Sequence, residues 1–492
     1  MIRLEAGVAG VLVLLAAART ASADEPVGAR EPRLMSETAE ITSVADAFDG
    51  DDPFDLNLLV GFHQSWKHAS IRRETTLAQP GLSTGGFVPA TENIASYKSS
   101  MSSLDVGADI GIYKDFALIL RVPVILSWSQ SLGDLNGSAG AVDQQLLADP
   151  VGGTPLFSVP FNSPTRSGVD YLSAGFDWAI YNQQRDSTKP TWVVGVEGRL
   201  AVGTPLHACN ANPSAAGVEC PAPNSGPYAQ PAGPYVNRDP GISRAMDSVI
   251  VHTTWSRRFG YVEPYSGFRV QADFAQQRSD FQQWNPTNDL DRTPPLLGSF
   301  QLGLEIVPFE QRESFQRLSA DFRFEGTYHS PGRDYSELFD ALGSSLAPSL
   351  RTPNPSAYYN PNAPTPISAS NPSVANPATE NVYFSGITEQ QAFGSFMFSA
   401  SATYQAGEYV KFSIGSGFTY AQSHLVTAAD TCTPNNSIPD LAGPCQTTSG
   451  NTTTVLGSPN PDHRDVIDLP GHRFSVDDAT VVDLWVRGVV MF

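Results

Sequence analysis

Hydrophobic and polar residues alternate in neighbouring segments along most of this chain. In residues 54–66 the apolar Phe54, Leu58 and Phe62 take even positions, whereas the polar Asn57 and His63 take odd ones. A β-strand places successive side chains on opposite faces, so a period of two predicts strands with one apolar and one polar face. Twelve such strands are predicted, at residues 54–66, 104–113, 116–128, 172–181, 192–202, 249–256, 262–274, 300–307, 318–328, 393–404, 410–420 and 482–492.

The connections between these segments alternate between short and long. Long connections are predicted at residues 68–101, 129–169, 204–244, 275–295, 330–391 and 425–479, and all fall on one side of the sheet. The short turns and both termini fall on the other side. This sorting, with an even number of strands, is typical of outer-membrane barrels, whose long loops are extracellular and whose short turns are periplasmic. The sequence therefore predicts an all-β fold, a single antiparallel transmembrane β-barrel of about 12 strands.

The N-terminal end carries the features of an exported protein. Residues 1–23 contain an apolar run that ends in Ala21-Ser-Ala23, which is typical of a cleaved signal peptide. The chain is thus divided into a signal peptide at residues 1–23, a periplasmic lead-in at 24–53 and a barrel at 54–492. No later stretch is long and apolar enough for a transmembrane helix. Together these features predict the outer membrane of a Gram-negative bacterium, with its lipid as a partner.

The final predicted strand alternates up to a terminal aromatic residue, Phe492. In this respect it resembles the C-terminal assembly signal of bacterial outer-membrane β-barrels. The resemblance implies that the barrel-assembly machinery recognises the last strand, with Phe492 as the end of the signal.

Charged residues make up only 16% of the chain, below the roughly one quarter that is usual for soluble proteins. Glycine and proline are abundant, at 41 and 39 residues. A barrel accounts for this composition, because lipid-facing positions need no charge and long polar loops dilute the apolar total. The balance is acidic, with 30 Lys and Arg against 50 Asp and Glu, which argues against a nucleic-acid partner.

Four cysteines fall as two close pairs in predicted extracellular loops, Cys209 with Cys220 and Cys432 with Cys445. An even number of cysteines in an exported chain predicts two disulfides, each within one loop. A metal site is the alternative, although no pair has Cys-x-x-Cys spacing and only His207 lies close by. No cofactor is predicted.

The polar face of the predicted strands interleaves acids and arginines. Such charges either pair across neighbouring strands and fill a narrow interior, or line a wet path for a small-molecule solute. Many small residues on this face, such as Gly107, Gly175 and Ser399, leave room and favour a modest channel. The candidate lumen-lining residues are Asp105, Asp109, Arg121, Asp177, Glu197, Arg199, His252, Glu263, Arg269, Gln271, Asp273, Gln301, Glu305, Asp321, Arg323, Glu325, Lys411, Asp483 and Arg487.

Three stretches carry a family resemblance. Residues 168–181 (GVDYLSAGFDWAIY) and 192–205 (WVVGVEGRLAVGTP) are similar to a strand pair of the transporter-type outer-membrane barrels of the phenol meta-pathway degradation family, and residues 113–124 (YKDFALILRVPV) are similar to the preceding hairpin. The resemblance implies a barrel that passes small, often hydrophobic compounds, and it identifies no substrate-binding residue. The loop at 330–391 looks like an insertion beyond this pattern and argues against a fully open extracellular mouth.

Two alternatives to a channel or transporter remain. One is a non-transporting barrel with a structural or surface-interaction role. The other is an outer-membrane phospholipase, whose chemistry requires a His-x-Ser pair. His63-Gln-Ser65 and His68-Ala-Ser70 have this spacing, but neither is followed by the Asn-Gly of that family. His63 and Ser65 also fall on the inner face, away from lipid, so the sequence predicts no catalytic residue and a protein that is not an enzyme.

Overall fold

A computed structural model describes most of the predicted barrel and parts of its connections. The described residues are 39–48, 55–78, 87–135, 147, 155–211, 218–221, 238–281, 294–351, 384–430, 432–434, 446–449, 452–455, 457–460 and 462–492. The predicted signal peptide, Phe54, Cys445 and parts of the predicted long loops lie outside these residues.

Twelve antiparallel strands form the wall of one closed sheet. They are β1 (Leu56–Ala78), β2 (Phe87–Tyr113), β3 (Phe116–Gly133), β4 (Tyr171–Tyr181), β5 (Thr191–Ala201), β6 (Met246–Ser256), β7 (Val262–Ala275), β8 (Leu297–Gln311), β9 (Gln316–His329), β10 (Phe393–Gly407), β11 (Val410–Ala421) and β12 (Phe474–Met491). Each strand pairs with the next one along the chain, and β1 also pairs with β12. This seam closes the wall and leaves it without an open edge. The predicted 12-stranded antiparallel barrel is confirmed.

Side chains alternate between the outside and the inside of the wall. Apolar residues such as Leu200, Phe398 and Ile414 stand on the outside, each more than 60% exposed. Inner positions on the same strands include the buried Ala201 and Lys411. An exposed apolar band around a closed barrel matches a lipid environment, so the exterior is that of a transmembrane barrel.

The two ends of the barrel differ in their connections. The turn end holds the short turns between β2 and β3, β4 and β5, β6 and β7, β8 and β9, and β10 and β11. One of these turns contains a 3-10 helix, Arg312–Ser314. The opposite, loop end holds the long connections.

At the loop end, β1 and β2 are longer than predicted. β1 continues to Ala78 and β2 begins at Phe87, so most of the loop predicted at residues 68–101 is paired strand. The segment from Ser96 to Ser103 carries polar residues on both faces. The period-two signal is therefore absent there, although the backbone pairs.

Two further loop boundaries are wrong for related reasons. β3 extends to Gly133, and the short strands Phe161–Asn162 and Arg166–Val169 pair with it within the loop predicted at 129–169. β12 begins at Phe474, within the loop predicted at 425–479. Both extensions lie beyond the apolar band, where the outer face need not be hydrophobic.

A β-bulge changes the direction of side chains near the end of β3. The pairing of β2 with β3 shifts between Ser102 and Ser103. Leu126 is exposed on the outside, whereas Leu132, also an even position, is buried. One extra residue in a paired strand reverses its facing. Uninterrupted alternation predicts an outward Trp128, but its Nε1 lies on the inner side and donates a hydrogen bond to Ser99 Oγ at 3.2 Å.

A folded region packs against the wall at the loop end. It is here called the cap and is formed by residues 332–351, 384–390, 424–430, 460 and 462–473. It contains the paired strands Gly332–Asp334 and Thr388–Gln390, and the helices α1 (Phe339–Gly343), α2 (Pro348–Arg351) and α3 (Asp465–Asp468). His424–Leu425 pairs with β12. Beyond the cap, Cys432–Pro434 pairs with Gly457–Pro459, and Gln446–Ser449 pairs with Thr452–Val455. No helix in the described residues is both long and apolar enough to span a membrane.

A hydrophobic core joins the cap to the wall. Leu338, Leu342 and Ile467 of the cap are buried in one cluster with Ile71 of β1 and Ile94 of β2. The elongated strands therefore serve as one side of the cap's core. The loop predicted at 330–391 contributes to this core through the side chains Leu338, Ala341, Leu342, Ala347, Leu350 and Phe384. The expectation that the mouth is not fully open stays a prediction.

A short N-terminal segment, here called the plug (residues 39–48), packs into the turn end of the barrel. It includes the 3-10 helix Glu40–Thr42, and its Ala39 and Thr42 are buried. Ala47 exchanges two backbone hydrogen bonds with Lys114 in the turn after β2, at 3.1 and 2.7 Å. A Cβ at Gly111 would lie 1.8 Å from the Asp46 carbonyl oxygen, so this approach requires glycine. The described part of the predicted lead-in at 24–53 is thus packed in the barrel end rather than solvated.

Candidate functional site

The inside of the barrel holds acids and bases in contact with each other. Neighbouring inner positions bring opposite charges together as ion pairs, along one strand or across a strand pair. These contacts join Arg121 to Asp109 at 2.5 Å, Arg199 to Glu197 at 2.7 Å, Arg317 to Glu305 at 3.0 Å and Arg323 to Asp321 at 3.4 Å.

Two histidines inside the barrel each contact an aspartate from another strand. His63 Nε2 lies 3.0 Å from Asp483 Oδ1 across the seam, and His252 Nε2 lies 3.0 Å from Asp177 Oδ1. No hydrogen bond joins His63 to Ser65 among the described residues. The pair that the phospholipase alternative needs is thus not assembled here, because His63 turns to Asp483.

The other predicted lumen residues have mainly uncharged partners. Asp105 lies opposite Gly61 in the register of β1 and β2. The remaining contacts are those of Glu263 with Ser256 at 2.6 Å, Arg269 with Gln271 at 3.1 Å, Asp273 with Gln271 at 2.9 Å and with Arg244 at 3.4 Å, and Glu325 with Thr327 at 3.4 Å. Gln301 lies opposite Glu325 on the neighbouring strand.

The plug is attached to the barrel interior mainly through side chains. The Glu40 carboxylate lies 2.9 Å from Lys411 Nζ and 3.7 Å from Arg487 Nη1. The Glu40 backbone N–H donates to Glu305 Oε2 at 3.2 Å, and the Thr42 and Ser256 hydroxyls are 2.8 Å apart. The plug therefore contacts four strands of the wall, β6, β8, β11 and β12, but is not itself a strand of the sheet.

A cavity of about 240 Å³ lies between the plug and the wall. Several of the predicted lumen residues line it, namely Asp109, Arg121, Asp177, Arg323, Lys411 and Arg487. Apolar side chains complete the lining, including Ile41 and Val44 of the plug and Leu59 and Val489 of the wall. The cavity thus combines charged and apolar surfaces within one small volume.

At the loop end, a buried ion pair fastens the cap. The Arg166 guanidinium donates two hydrogen bonds to the Asp340 carboxylate, at 2.9 and 2.7 Å. Asp340 also accepts the backbone N–H of Cys209 at 2.8 Å, and Trp128 lies under the Arg166 guanidinium at 5.6 Å. A disulfide joins Cys209 to Cys220, as predicted. The pairing of Cys432 with Cys445 lies outside the described residues.

Two carboxyl groups in the cap are buried with few charged partners. Burial raises the pKa of Glu389 to about 8, although Asn460 donates a hydrogen bond to it at 3.0 Å. Burial also raises the pKa of Asp468 to about 6, although it accepts the backbone N–H groups of Arg464 and Ala429. Loss of their protons therefore places negative charge inside the cap, which Arg333 near Glu389 and Arg464 near Asp468 offset only in part.

The sequence patterns do not predict the plug. They also do not predict the ion pair of Arg166 with Asp340, here called the clamp. Glu40 lies in a short segment without periodicity, and its partners are far away in the chain. Arg166 and Asp340 fall in predicted loops, where no spacing rule relates them. Inner glycines are a sequence feature that could have indicated the plug, because a small inner residue leaves space for another segment. Gly111, which lies against Asp46 of the plug, is an example.

No protein-family model matches this chain, and no curated protein sequence matches it. Several solved outer-membrane proteins have a similar arrangement of strands. A Pseudomonas aeruginosa FadL homologue has 8% identity and a TM-score of 0.30, over 89% of this chain and 90% of its own. The toluene transporter TodX of P. putida has 10% identity and a TM-score of 0.27, over 93% of both chains. The Escherichia coli outer-membrane protease OmpT has 7% identity and a TM-score of 0.24, over 89% of this chain and 97% of its own. Likenesses this distant carry no argument about function.

Proposed function

We propose that this protein is an outer-membrane channel or transporter through which small molecules pass passively, and that the plug closes its periplasmic end in this structure. The observation that carries the proposal is the cavity between plug and wall, which is lined by charged inner side chains and bounded on one side by a segment outside the sheet. Removing such a segment would widen the interior without unpairing any strand of the wall.

The contacts of the plug are suited to reversible release. Its attachment includes polar pairs at Glu40, Thr42 and Asp46, one backbone bridge at Ala47 and the small buried side chains of Ala39 and Ala45. Hydrogen bonds between neutral groups typically contribute about 0.5–1.5 kcal/mol each, and one to a charged group, such as that of Glu40, about 1.5–3 kcal/mol. The wall, in contrast, is held by continuous ladders of backbone hydrogen bonds. The plug can therefore leave while the barrel stays closed as a sheet.

The orientation follows from the same arrangement. We assign the turn end to the periplasm and the loop end to the outside, because outer-membrane barrels place their long loops extracellularly. The Cys209–Cys220 disulfide at the loop end fits an oxidising compartment. Export through a cleaved signal at residues 1–23 and insertion by the barrel-assembly machinery through the Phe492 end belong to the same proposal. Membrane lipid would contact the apolar exterior, and solutes with an apolar body would suit the mixed lining.

Single-channel recording in planar bilayers tests the proposal. The full chain should show rare or small openings, and a variant that lacks residues 24–48 should show steady openings of higher conductance. Glu40→Ala should increase the open fraction, because Lys411 and Arg487 lose their shared carboxylate. Asp186→Ala is the matched control, since among the described residues this acid pairs with Lys189 and Thr188 in an exposed turn at the same end. Silence of the plug-deleted variant over many insertions would contradict a channel.

A non-transporting structural barrel is the second candidate, and the dense ion pairing inside the wall favours it. Arg121, Arg199 and Arg323 each hold an acid within 3.4 Å, so their charges are already neutralised without a solute. In that case, deletion of the plug should leave the bilayer silent, while replacing Arg121 and Asp109 together should lower the temperature at which the barrel unfolds.

A further inference from the structure

The residues that line the cavity beside the plug change from polar to apolar to basic along the seam of the barrel. In the register of β1 and β12, Asn57 lies opposite Met491, Leu59 opposite Val489 and Gly61 opposite Arg487. These alternate residues share the inner face, since side chains of a strand repeat every second residue. The lining thus runs from a polar amide, through an apolar step, to a guanidinium. The Cα levels of its two ends lie roughly 13 Å apart along the strand, at about 3.3 Å per residue.

The basic end of this order is accessible. Arg487 is 42% exposed, and its nearest carboxylate oxygen, from Glu40, is 3.7 Å away, beyond hydrogen-bond distance. The same carboxylate is 2.9 Å from Lys411, which is nearly buried. Glu40 is therefore committed mainly to Lys411. The Arg487 guanidinium keeps donors that a second anionic group can use, in the fork geometry that suits a carboxylate.

The opposite end presents hydrogen-bond acceptors. Three buried side-chain oxygens of cavity-lining residues accept no hydrogen bond from the described part of the chain: Oδ1 of Asn57, of Asp109 and of Asp177. Two of them do lie near a cation, since Asp109 Oδ1 is 2.5 Å from Arg121 and Asp177 Oδ1 is 3.0 Å from His252, but the geometry is not that of a hydrogen bond. Asn57 and Asp109 are direct partners in the register of β1 and β2. This end therefore matches a ligand with a hydroxyl donor.

Apolar surfaces separate the two ends. Leu59 and Val489 lie between the two levels and are almost completely buried with Met491, whereas Ile119 of β3 lies level with Asn57 and Asp109. Ile41 and Val44 of the plug also line the cavity. A flat or narrow apolar body would lie between these surfaces. At about 240 Å³ the cavity is smaller than the roughly 300–1,000 Å³ typical of sites for drug-sized ligands, so it suits a single-ring molecule.

We propose that this cavity binds a small carboxylate whose apolar body carries a hydroxyl group, with the carboxylate on Arg487 and the hydroxyl donating to Asn57. The inference deepens the proposed channel function, on which it rests, by naming the class of solute that pauses beside the plug. At one end the ligand hydroxyl would supply the donor that the buried Asn57 Oδ1 lacks, and at the other its carboxylate would replace water around the exposed Arg487 guanidinium. A ligand that lacks either end loses that contribution.

Equilibrium dialysis of the full chain in detergent tests this site with three radiolabelled probes: 4-hydroxybenzoate, benzoate without the hydroxyl, and phenol without the carboxylate. The wild-type chain should bind 4-hydroxybenzoate at least tenfold more tightly than phenol and severalfold more tightly than benzoate. Arg487→Gln should remove the preference over phenol, and Asn57→Ala should remove the preference over benzoate. Arg257→Gln, an arginine in the turn between β6 and β7, should leave all three affinities unchanged.

The variants also separate a binding defect from misfolding. Each protein should first show the same unfolding temperature and the same resistance to protease as the wild type, and Asn57→Ala serves as the milder second variant if Arg487→Gln fails this check. Equal binding of the three probes by the wild type would overturn the site. So would an Arg487→Gln variant with unchanged selectivity, or an equal loss in Arg257→Gln.

Conductance recorded on the same preparations distinguishes the two proposals. If the plug-deleted barrel conducts but the full chain does not bind 4-hydroxybenzoate, the channel stands and the ligand site falls. If 4-hydroxybenzoate binds with the predicted selectivity but the plug-deleted barrel stays silent, the site stands and the channel falls.

Discussion

The plug at the turn end and the cap at the loop end are attached to the barrel by different interactions. At the turn end, a plug of ten described residues is held by side-chain pairs such as Glu40 with Lys411. At the loop end, the cap buries a hydrophobic core that includes Leu342 and Ile467, and it encloses the ion pair of Arg166 with Asp340. The loss of a few polar contacts releases the plug, whereas the cap must lose a packed core. From this contrast we expect the plug to detach more easily than the cap.

The largest loss of stability is expected for Asp340→Asn, which tests whether the cap depends on its buried ion pair. Arg166 is almost completely buried, and removing one partner of a buried ion pair typically costs about 3–5 kcal/mol. We expect the cap to unfold at lower urea concentration, as measured by proteolysis of the loop end, while the wall remains folded. The double variant Arg166→Met with Asp340→Leu should regain much of the loss. Equal stability of Asp340→Asn and the wild type would show that the clamp does not hold the cap.

The next largest effect concerns the plug. Glu40→Ala leaves the nearly buried Lys411 without this carboxylate, and the loss of a charge-assisted hydrogen bond typically costs about 1.5–3 kcal/mol. We expect faster labelling of a cysteine placed at Ala45 by a thiol reagent added at the turn end. The rate should rise by tenfold or more relative to Ala45→Cys alone. The chain without the new cysteine corrects for labelling of the native cysteines, and no change in rate would argue for a fixed plug.

A smaller effect should appear on changing the pH. The folded-state pKa of Glu389 is raised to about 8 and that of Asp468 to about 6, both because of burial. A raised carboxyl pKa stabilises the fold at low pH, and this stability is lost as the pH rises through the folded value. Proteolysis of the cap should therefore accelerate between pH 5 and pH 8, by about tenfold for every 1.4 kcal/mol of stability that the cap loses.

Glu389→Gln separates this effect from a general response to pH. The amide cannot ionise, so the variant should retain only the part of the pH dependence that Asp468 contributes at the acidic side of the range. The plug is the internal comparison: the labelling rate of Ala45→Cys, divided at each pH by that of a free thiol because the thiolate is the reactive form, should not follow the same profile. A cap that becomes more stable as the pH rises would contradict the assignment of these buried carboxyls.

The smallest effect is expected at Trp128. Trp128→Phe removes the hydrogen bond to Ser99 and weakens the contact with Arg166, while most of the buried ring remains. Contributions of this kind are typically about 0.5–1 kcal/mol at partly exposed sites. The urea midpoint of the cap should fall slightly, and less than in Asp340→Asn. A loss as large as that of Asp340→Asn would mean that the indole, rather than the ion pair, determines the stability of the clamp.

The wall was predictable from sequence because lipid imposes an apolar residue at every second position. Outward apolar residues such as Phe398 and Ile414 therefore indicate the strands that carry them. Beyond the apolar band this constraint ends, and the extensions of β1 to Ala78 and β2 from Phe87 carry no such pattern. The outward direction predicted for Trp128 is wrong because a bulge earlier in β3 turns the side chains that follow it to the opposite face. No residue type in the sequence marks that bulge.

The interior was predictable in its residue types but only partly in its contacts. Asp109 and Arg121 lie on adjacent strands, so the alternation alone places them on one face. The position of Glu40 depends instead on how a segment without periodicity folds into the barrel end. Likewise, the burial of Glu389 depends on the cap core as a whole. Tertiary packing of irregular segments determines both, and local patterns do not encode it.

The seam between β1 and β12 also determines when the ligand cavity can exist. Asn57 and Arg487, which form its two polar ends, belong to the first and the last strand of the wall. Until those strands meet, each presents an unpaired backbone edge and holds only half of the recognition groups. A chain arrested before its final strand would thus have most of its wall but no complete binding site. Ligand protection against proteolysis would therefore report completion of assembly, in addition to affinity.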